Sequence, residues 1–117
     1  MPDAEVRRIT AHAVQAVCDL DLPVVEAART GRRMLSPLPG CRNGDALASA
    51  LLLAAAPERM AVYDRRAHIA LHKLGITLNN GPGRYSRYMA IIEQIRASHP
   101  DGWTARDTDL ALYAYGE

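Results

Sequence analysis

The tightest constraint on this chain lies at residues 36–57. Ser36-Pro37-Leu38-Pro39-Gly40 cannot be helical, because each proline restricts its own backbone and disfavours the α region for the residue before it. Cys41-Arg42-Asn43-Gly44-Asp45 completes the break, with Gly40 and Gly44 bracketing a tight turn. Helical patterning resumes near Asp45, an acid well placed for a first turn. Ala46, Leu47, Ala50, Leu51, Leu53 and Ala54 then surround the helix almost completely with apolar groups, which predicts a central, buried helix that Pro57 ends.

The flanking segments also read as helices. Ala4 to Cys18 places Val6, Ile9, Ala13, Val14, Val17 and Cys18 close to helical spacing, with Asp3 as its cap. After a break at Asp19–Leu22, Pro23 suits the first turn of a helix capped by Asp21 and running to about Arg33. That helix ends in Arg29, Arg32 and Arg33. The helix dipole favours cations there, and nucleic-acid binding would use them equally well; the sequence leaves both readings open.

Val62-Tyr63 is extended at most. Asp64 caps a helix of roughly Arg65 to Leu74, with Ala67, Ile69, Ala70, Leu71 and Leu74 inward and Gly75 as its stop. Residues 76–83 form a turn-rich loop. Arg84 to Ser98 returns to helical spacing, and Thr104-Ala105-Arg106-Asp107 resembles a capping box that opens a last helix to about Tyr115. Trp103 is placed to staple that helix's first turn. With about six helices and no strand-rich region, the expectation is an all-α fold. It forms one small domain over residues 1–117, built around a helix-hairpin-helix core at about 36–76.

Composition narrows the function classes. The 117 residues contain no Phe, so Ala, Leu, Ile and Val must fill a single core. No apolar run approaches the ~20 residues that span a bilayer. No basic region followed by an apolar stretch marks a secretion signal. Cys18 and Cys41 are too few for a disulfide scaffold and read as reduced thiols of a cytoplasmic protein. Net charge is +1, but residues 58–96 carry seven basic groups against three acids, while residues 97–117 carry Arg106 against Asp101, Asp107, Asp109 and Glu117. The expectation is a mildly positive middle and a negative tail helix.

A glycine turn before a helix exposes successive backbone N–H groups, which together with the helix dipole can hold a phosphate without reading its base. Residues 40–46 fit that description. The wider stretch resembles the helix-hairpin-helix DNA glycosylase superfamily, whose hairpin runs Leu-Pro-Gly-Val-Gly and whose extended Val-Asp piece supplies an aspartate. Leu38-Pro39-Gly40 matches the opening, and Gly44 falls where the second glycine belongs if two residues are inserted. The family's lysine position then falls on Ala46, and Asp64 lies 18 residues further on. Lys73-Leu74-Gly75 is similar to the family's Arg-Leu-Gly. The likeness covers about residues 36 to 76, and is nearest to small bacterial proteins that look like shortened 8-oxoguanine-glycosylase folds.

The resemblance implies DNA as partner, a role in DNA repair, no cofactor, and a site of Gly40, Arg42, Asn43, Gly44, Asp45, Ala46, Arg65 and Arg66. It also puts Asp64 at the catalytic aspartate position. In the family that carboxylate stabilises the positive charge developing on the sugar as the base leaves, a task suited to a fixed negative charge. Ala46 departs from the pattern, because it offers no amine for a Schiff base, so any base excision would be monofunctional and use water. A full enzyme of this class flips a base between two subdomains. A chain of this length would keep the hairpin part, with a second copy, in a homodimer, as one source of a missing wall. The alternative is a non-enzymatic DNA-binding or protein-interaction domain that keeps the fold, with Asp64 as a plain N-cap.

Other constellations are weaker. His68 and His72 are spaced like paired metal ligands, but no third ligand is near, so no metal is expected. Tyr85 and Tyr88, with Arg84 and Arg87, have the spacing of core tyrosines beside exposed arginines, or of a platform that stacks bases and holds phosphates.

Overall fold

The computed structural model describes residues 1–116. They form six α-helices: α1 (Asp3–Cys18), α2 (Val24–Leu35), α3 (Ala46–Ala55), α4 (Arg65–Lys73), α5 (Arg84–Ser98) and α6 (Ala105–Tyr115). Among the described residues there is no strand, so the all-α expectation holds. No helix is long and apolar enough to cross a membrane. Glu117, counted among the acids of the tail, lies outside the described residues.

The helix at the centre is α2, which packs against α1, α3 and α5. Gly31 permits this: a Cβ there would lie 2.7 Å from Val17 Cγ1 and 3.1 Å from Leu52 Cδ2, so α1 and α3 both close on α2 at a missing side chain. The prediction of a fully buried α3 is corrected. Only Ala48, Ser49 and Leu52 of α3 are buried, while Leu47 and Leu51 are 47% and 38% exposed. An all-apolar sequence is compatible with a core helix but does not require one, and here the bundle covers one side of α3.

The segment between α3 and α4 has no ladder partner: the N–H groups of Ala105 and Arg106 satisfy its Glu58 and Pro57 carbonyls, and side chains satisfy residues 61–63. Tyr85 Oη donates to Ala61 O at 2.7 Å and Tyr88 Oη to Val62 O at 2.9 Å. The Val62 N–H donates to Asp109 Oδ1 at 3.1 Å and the Tyr63 N–H to Ser49 Oγ at 2.9 Å. Tyr85 and Tyr88 are therefore core residues, and burial pushes both phenols far above their ordinary range. Arg59 does a similar task at the end of α1, where its guanidinium donates to Val17 O, Asp19 O and Leu22 O.

Helix ends divide into those that follow local rules and those that do not. Thr104 and Asp107 form the expected capping box on α6. Asp64 caps α4 by accepting from the Ala67 N–H at 3.0 Å. Leu74 and Gly75 end α4 in a Schellman motif, with the Ile76 N–H on Leu71 O and the Gly75 N–H on His72 O. Asp3 and Asp21 do not cap: α1 begins at Asp3 after Pro2, and α2 begins at Val24 with Pro23 outside it. Trp103 stacks on His99 of the preceding loop, at 3.8 Å between ring centroids.

Candidate functional site

The connector 36–45 turns at Leu38–Cys41, where the Cys41 N–H donates to Leu38 O at 3.0 Å. Pro39 supplies the second residue of this turn. Gly40, at φ +85°, supplies the left-handed third residue that a side chain would strain. Gly44 is different. Its φ is not positive, and nothing lies within 4 Å of where a Cβ would stand. The chain's own packing therefore demands glycine at 40 and not at 44.

Asp45 holds the hairpin to the rest of the molecule. Its carbonyl accepts the Ser49 N–H and starts α3, but its side chain makes no cap. The carboxylate is instead 7% exposed and clamped between two guanidiniums: Arg32 Nε donates to Oδ1 at 2.6 Å and Arg84 Nε to Oδ2 at 2.7 Å. Arg32 also donates to Ser36 Oγ and Gly44 O. Arg84 also donates to Asn80 Oδ1, and lies 5.3 Å over the Tyr63 ring. One carboxylate thus ties α2, the hairpin and the start of α5 together. Beneath it Cys41 is fully buried; burial raises its thiol pKa, and the charge of Arg32 opposes that rise.

These three elements border an open cleft of about 840 Å³. Its lining includes six arginines, Arg29, Arg32, Arg33, Arg42, Arg84 and Arg87, and Asp45 is the one carboxylate among the lining residues. The far wall is the 79–83 loop. Arg87 fixes it by donating to Asn79 O, Gly81 O and Pro82 O. The side chains of Arg33 and Arg42 are exposed and make no ion pair or hydrogen bond among the described residues, so their donors face solvent. Arg29 pairs only with Glu26, one turn back and half-exposed. α5 begins at the cleft without a side-chain cap, so its first-turn N–H groups have no side-chain acceptor there.

The residues singled out from sequence separate into two places. Arg42, Asn43 and Asp45 line the cleft, whereas Gly40, Gly44 and Ala46 are not among its lining residues. Asp64 opens instead onto a separate recess of about 230 Å³, lined with Val62, Ala67, Asp109 and Tyr113. Arg65 is exposed at the start of α4, and Arg66 lies 3.9 Å over the Tyr113 ring. The cleft and the catalytic-position aspartate therefore do not share one cavity. Burial holds the Asp109 carboxyl above its ordinary range, opposed by the Val62 N–H bond and reinforced by the charge of Asp64.

His68 Nδ1 is 2.9 Å from Tyr63 Oη, a contact that occupies one ring nitrogen of the His68–His72 pair. No group of three or more His, Cys, Asp or Glu among the described residues is arranged to hold a metal.

Sequence reasoning missed the partners of Asp45. They lie 13 and 39 residues away, and no local spacing signals such a pairing. The basic run Arg29, Arg32, Arg33 and the pair Arg84, Arg87 were visible, but not that they meet. Comparison with known proteins finds no matching family model, no matching curated protein and no matching solved structure.

Proposed function

We propose that this protein is a DNA-binding helix-hairpin-helix module that holds nucleic-acid phosphates in the arginine-lined cleft, with Asp64 serving as a helix cap and not as a catalytic group. The observation that carries this reading is the convergence of six arginines on one cleft whose only lining carboxylate among the described residues is already clamped by two of them. Guanidiniums match phosphate oxygens in charge and geometry. The start of α5, which has no side-chain cap and whose Arg84, Tyr85 and Ser86 line the cleft, adds backbone donors there. Asp45, whose sign alone would argue against a polyanion, is offset by Arg32 and Arg84 and orients both.

Base excision by Asp64 is the second reading. It draws on the position of Asp64 in the hairpin register and on the neighbouring half-buried Asp109. What weighs against it is the separate recess: a nucleotide held in the arginine cleft would not have its sugar against Asp64 within one pocket.

Two measurements test these readings, and the second divides them. Affinity for a DNA duplex, followed across salt concentration, should fall steeply, because each neutralised phosphate releases counterions. Binding that is absent or insensitive to salt would sink both readings. Duplexes carrying 8-oxoguanine, uracil or an alkylated base should then be bound without release of free base. Release by wild type and not by Asp64→Asn would replace the first reading with the second.

A further inference from the structure

We infer that the cleft is a receptor for a terminal phosphate, the phosphomonoester at the end of a nucleic-acid strand, in preference to the internal phosphodiesters of a continuous backbone. This rests on the reading of the cleft as a nucleic-acid site and goes beyond it by naming the group recognised.

Shape is the first argument. An internal phosphate must pass the sugars on both its sides across the binding surface, so it suits an open ridge. This site is concave, about 840 Å³, within the size range of small-ligand pockets. The hairpin forms one rim and residues 80–84 the other. Arg87 donates to Gly81 O and Pro82 O of that second rim and to Asn79 O just before it, and Arg84 ties the rim to the hairpin through Asp45. A strand end has one sugar to route past these rims where an internal phosphate has two, so a concave site of this size takes the end more readily.

Charge is the second. A phosphomonoester carries about −1.5 to −2 near neutral pH and three acceptor oxygens, where a diester carries a single charge. The lining's six guanidiniums face one carboxylate. Arg32, Arg84 and Arg87 are committed to protein acceptors, so the frame is rigid. Arg33 and Arg42, exposed at the rim, supply the cations that close on an incoming dianion.

The third argument is what the cleft lacks. Its one aromatic, Tyr85, is 2% exposed, with its hydroxyl donating to Ala61 O. It presents no face for a base to stack on. With no aromatic platform, the guanidiniums are the groups that meet the ligand, and phosphate is the group they match best.

The test uses the full chain and one 3′-labelled oligonucleotide, prepared with a 5′-phosphate or a 5′-hydroxyl, with affinities compared at a single salt concentration. The phosphorylated strand should bind about tenfold tighter, the effect of one added charge-assisted hydrogen bond. AMP should displace it, and adenosine should not. In Arg33→Ala/Arg42→Ala, with the helical content of wild type, the preference should shrink towards unity. Equal, salt-dependent affinity for both strands would overturn the terminal-phosphate proposal and leave DNA binding intact. Failure to bind either strand would overturn both. Displacement by adenosine as well as AMP would show that the base is read, and would also overturn it.

Discussion

Asp45 and Asp64 hold the same position in two helices and do different work. Each is the N-cap residue of the helix it precedes, and each carbonyl accepts that helix's first intrahelical bond. Asp64 also spends its side chain locally, on the Ala67 N–H three residues on. Asp45 leaves its own helix uncapped and spends its carboxylate on Arg32 and Arg84, from α2 and α5. The first arrangement finishes a helix. The second assembles a cleft, because the guanidiniums it fixes are part of the cleft's lining. An acid at a helix start is therefore not a sufficient sign of function; what distinguishes the two is where the partners come from.

The contrast can be broken at several points. Asp45→Ala should have the largest effect, a loss of about 3 kcal/mol, the lower end of what breaking a buried ion pair costs since both guanidiniums left behind reach solvent. Chemical denaturation measures it, and a loss no larger than that of Asp64→Ala would erase the distinction. Next is Arg33→Ala/Arg42→Ala, which should keep wild-type stability but lower the slope of log affinity against log salt by about two for duplex DNA. An unchanged slope would mean that these arginines meet no phosphate.

Asp64→Ala should cost about 1 kcal/mol, the worth of one cap, and leave DNA affinity unchanged. A large loss of affinity without loss of fold would move the site to the smaller recess. Asp109→Asn should have the smallest effect, visible only in the pH dependence. A carboxyl whose pKa is raised on folding makes the native state hold its proton longer than the unfolded chain. Its contribution to stability therefore falls as pH rises from its ordinary value of 3.8 through the raised one. The asparagine variant can still accept the Val62 N–H, and should show a flatter decline across that window in denaturation midpoints taken at successive pH values. A profile identical to wild type would contradict the burial argument.

The six helices were legible because their signals are local. Pro37, Pro39 and Pro57 interrupt helices, Gly75 ends one, and Thr104 with Asp107 opens another, all within a turn or two of the residues they govern. The identity of the central helix was not legible. Apolar content pointed to α3, but centrality went to α2, where Gly31 lets two neighbours approach. Of the site, the hairpin and its arginine could be read directly, and the basic end of α2 and the start of α5 could be read as basic. Their meeting around Asp45 could not, because an ion pair across 39 residues is a property of the packed chain and leaves no spacing to detect.

The central claim is that nucleic acid binds at the cleft organised by Asp45 and not at the recess of Asp64. Titrating the isotope-labelled protein with a short DNA duplex, and following backbone amide shifts by NMR, tests it residue by residue. The shifts should concentrate at 29–33, 42–46 and 80–87, while 62–67 and 109–113 stay in place. Shifts concentrated around Asp64, Asp109 and Tyr113, with the hairpin undisturbed, would contradict the account.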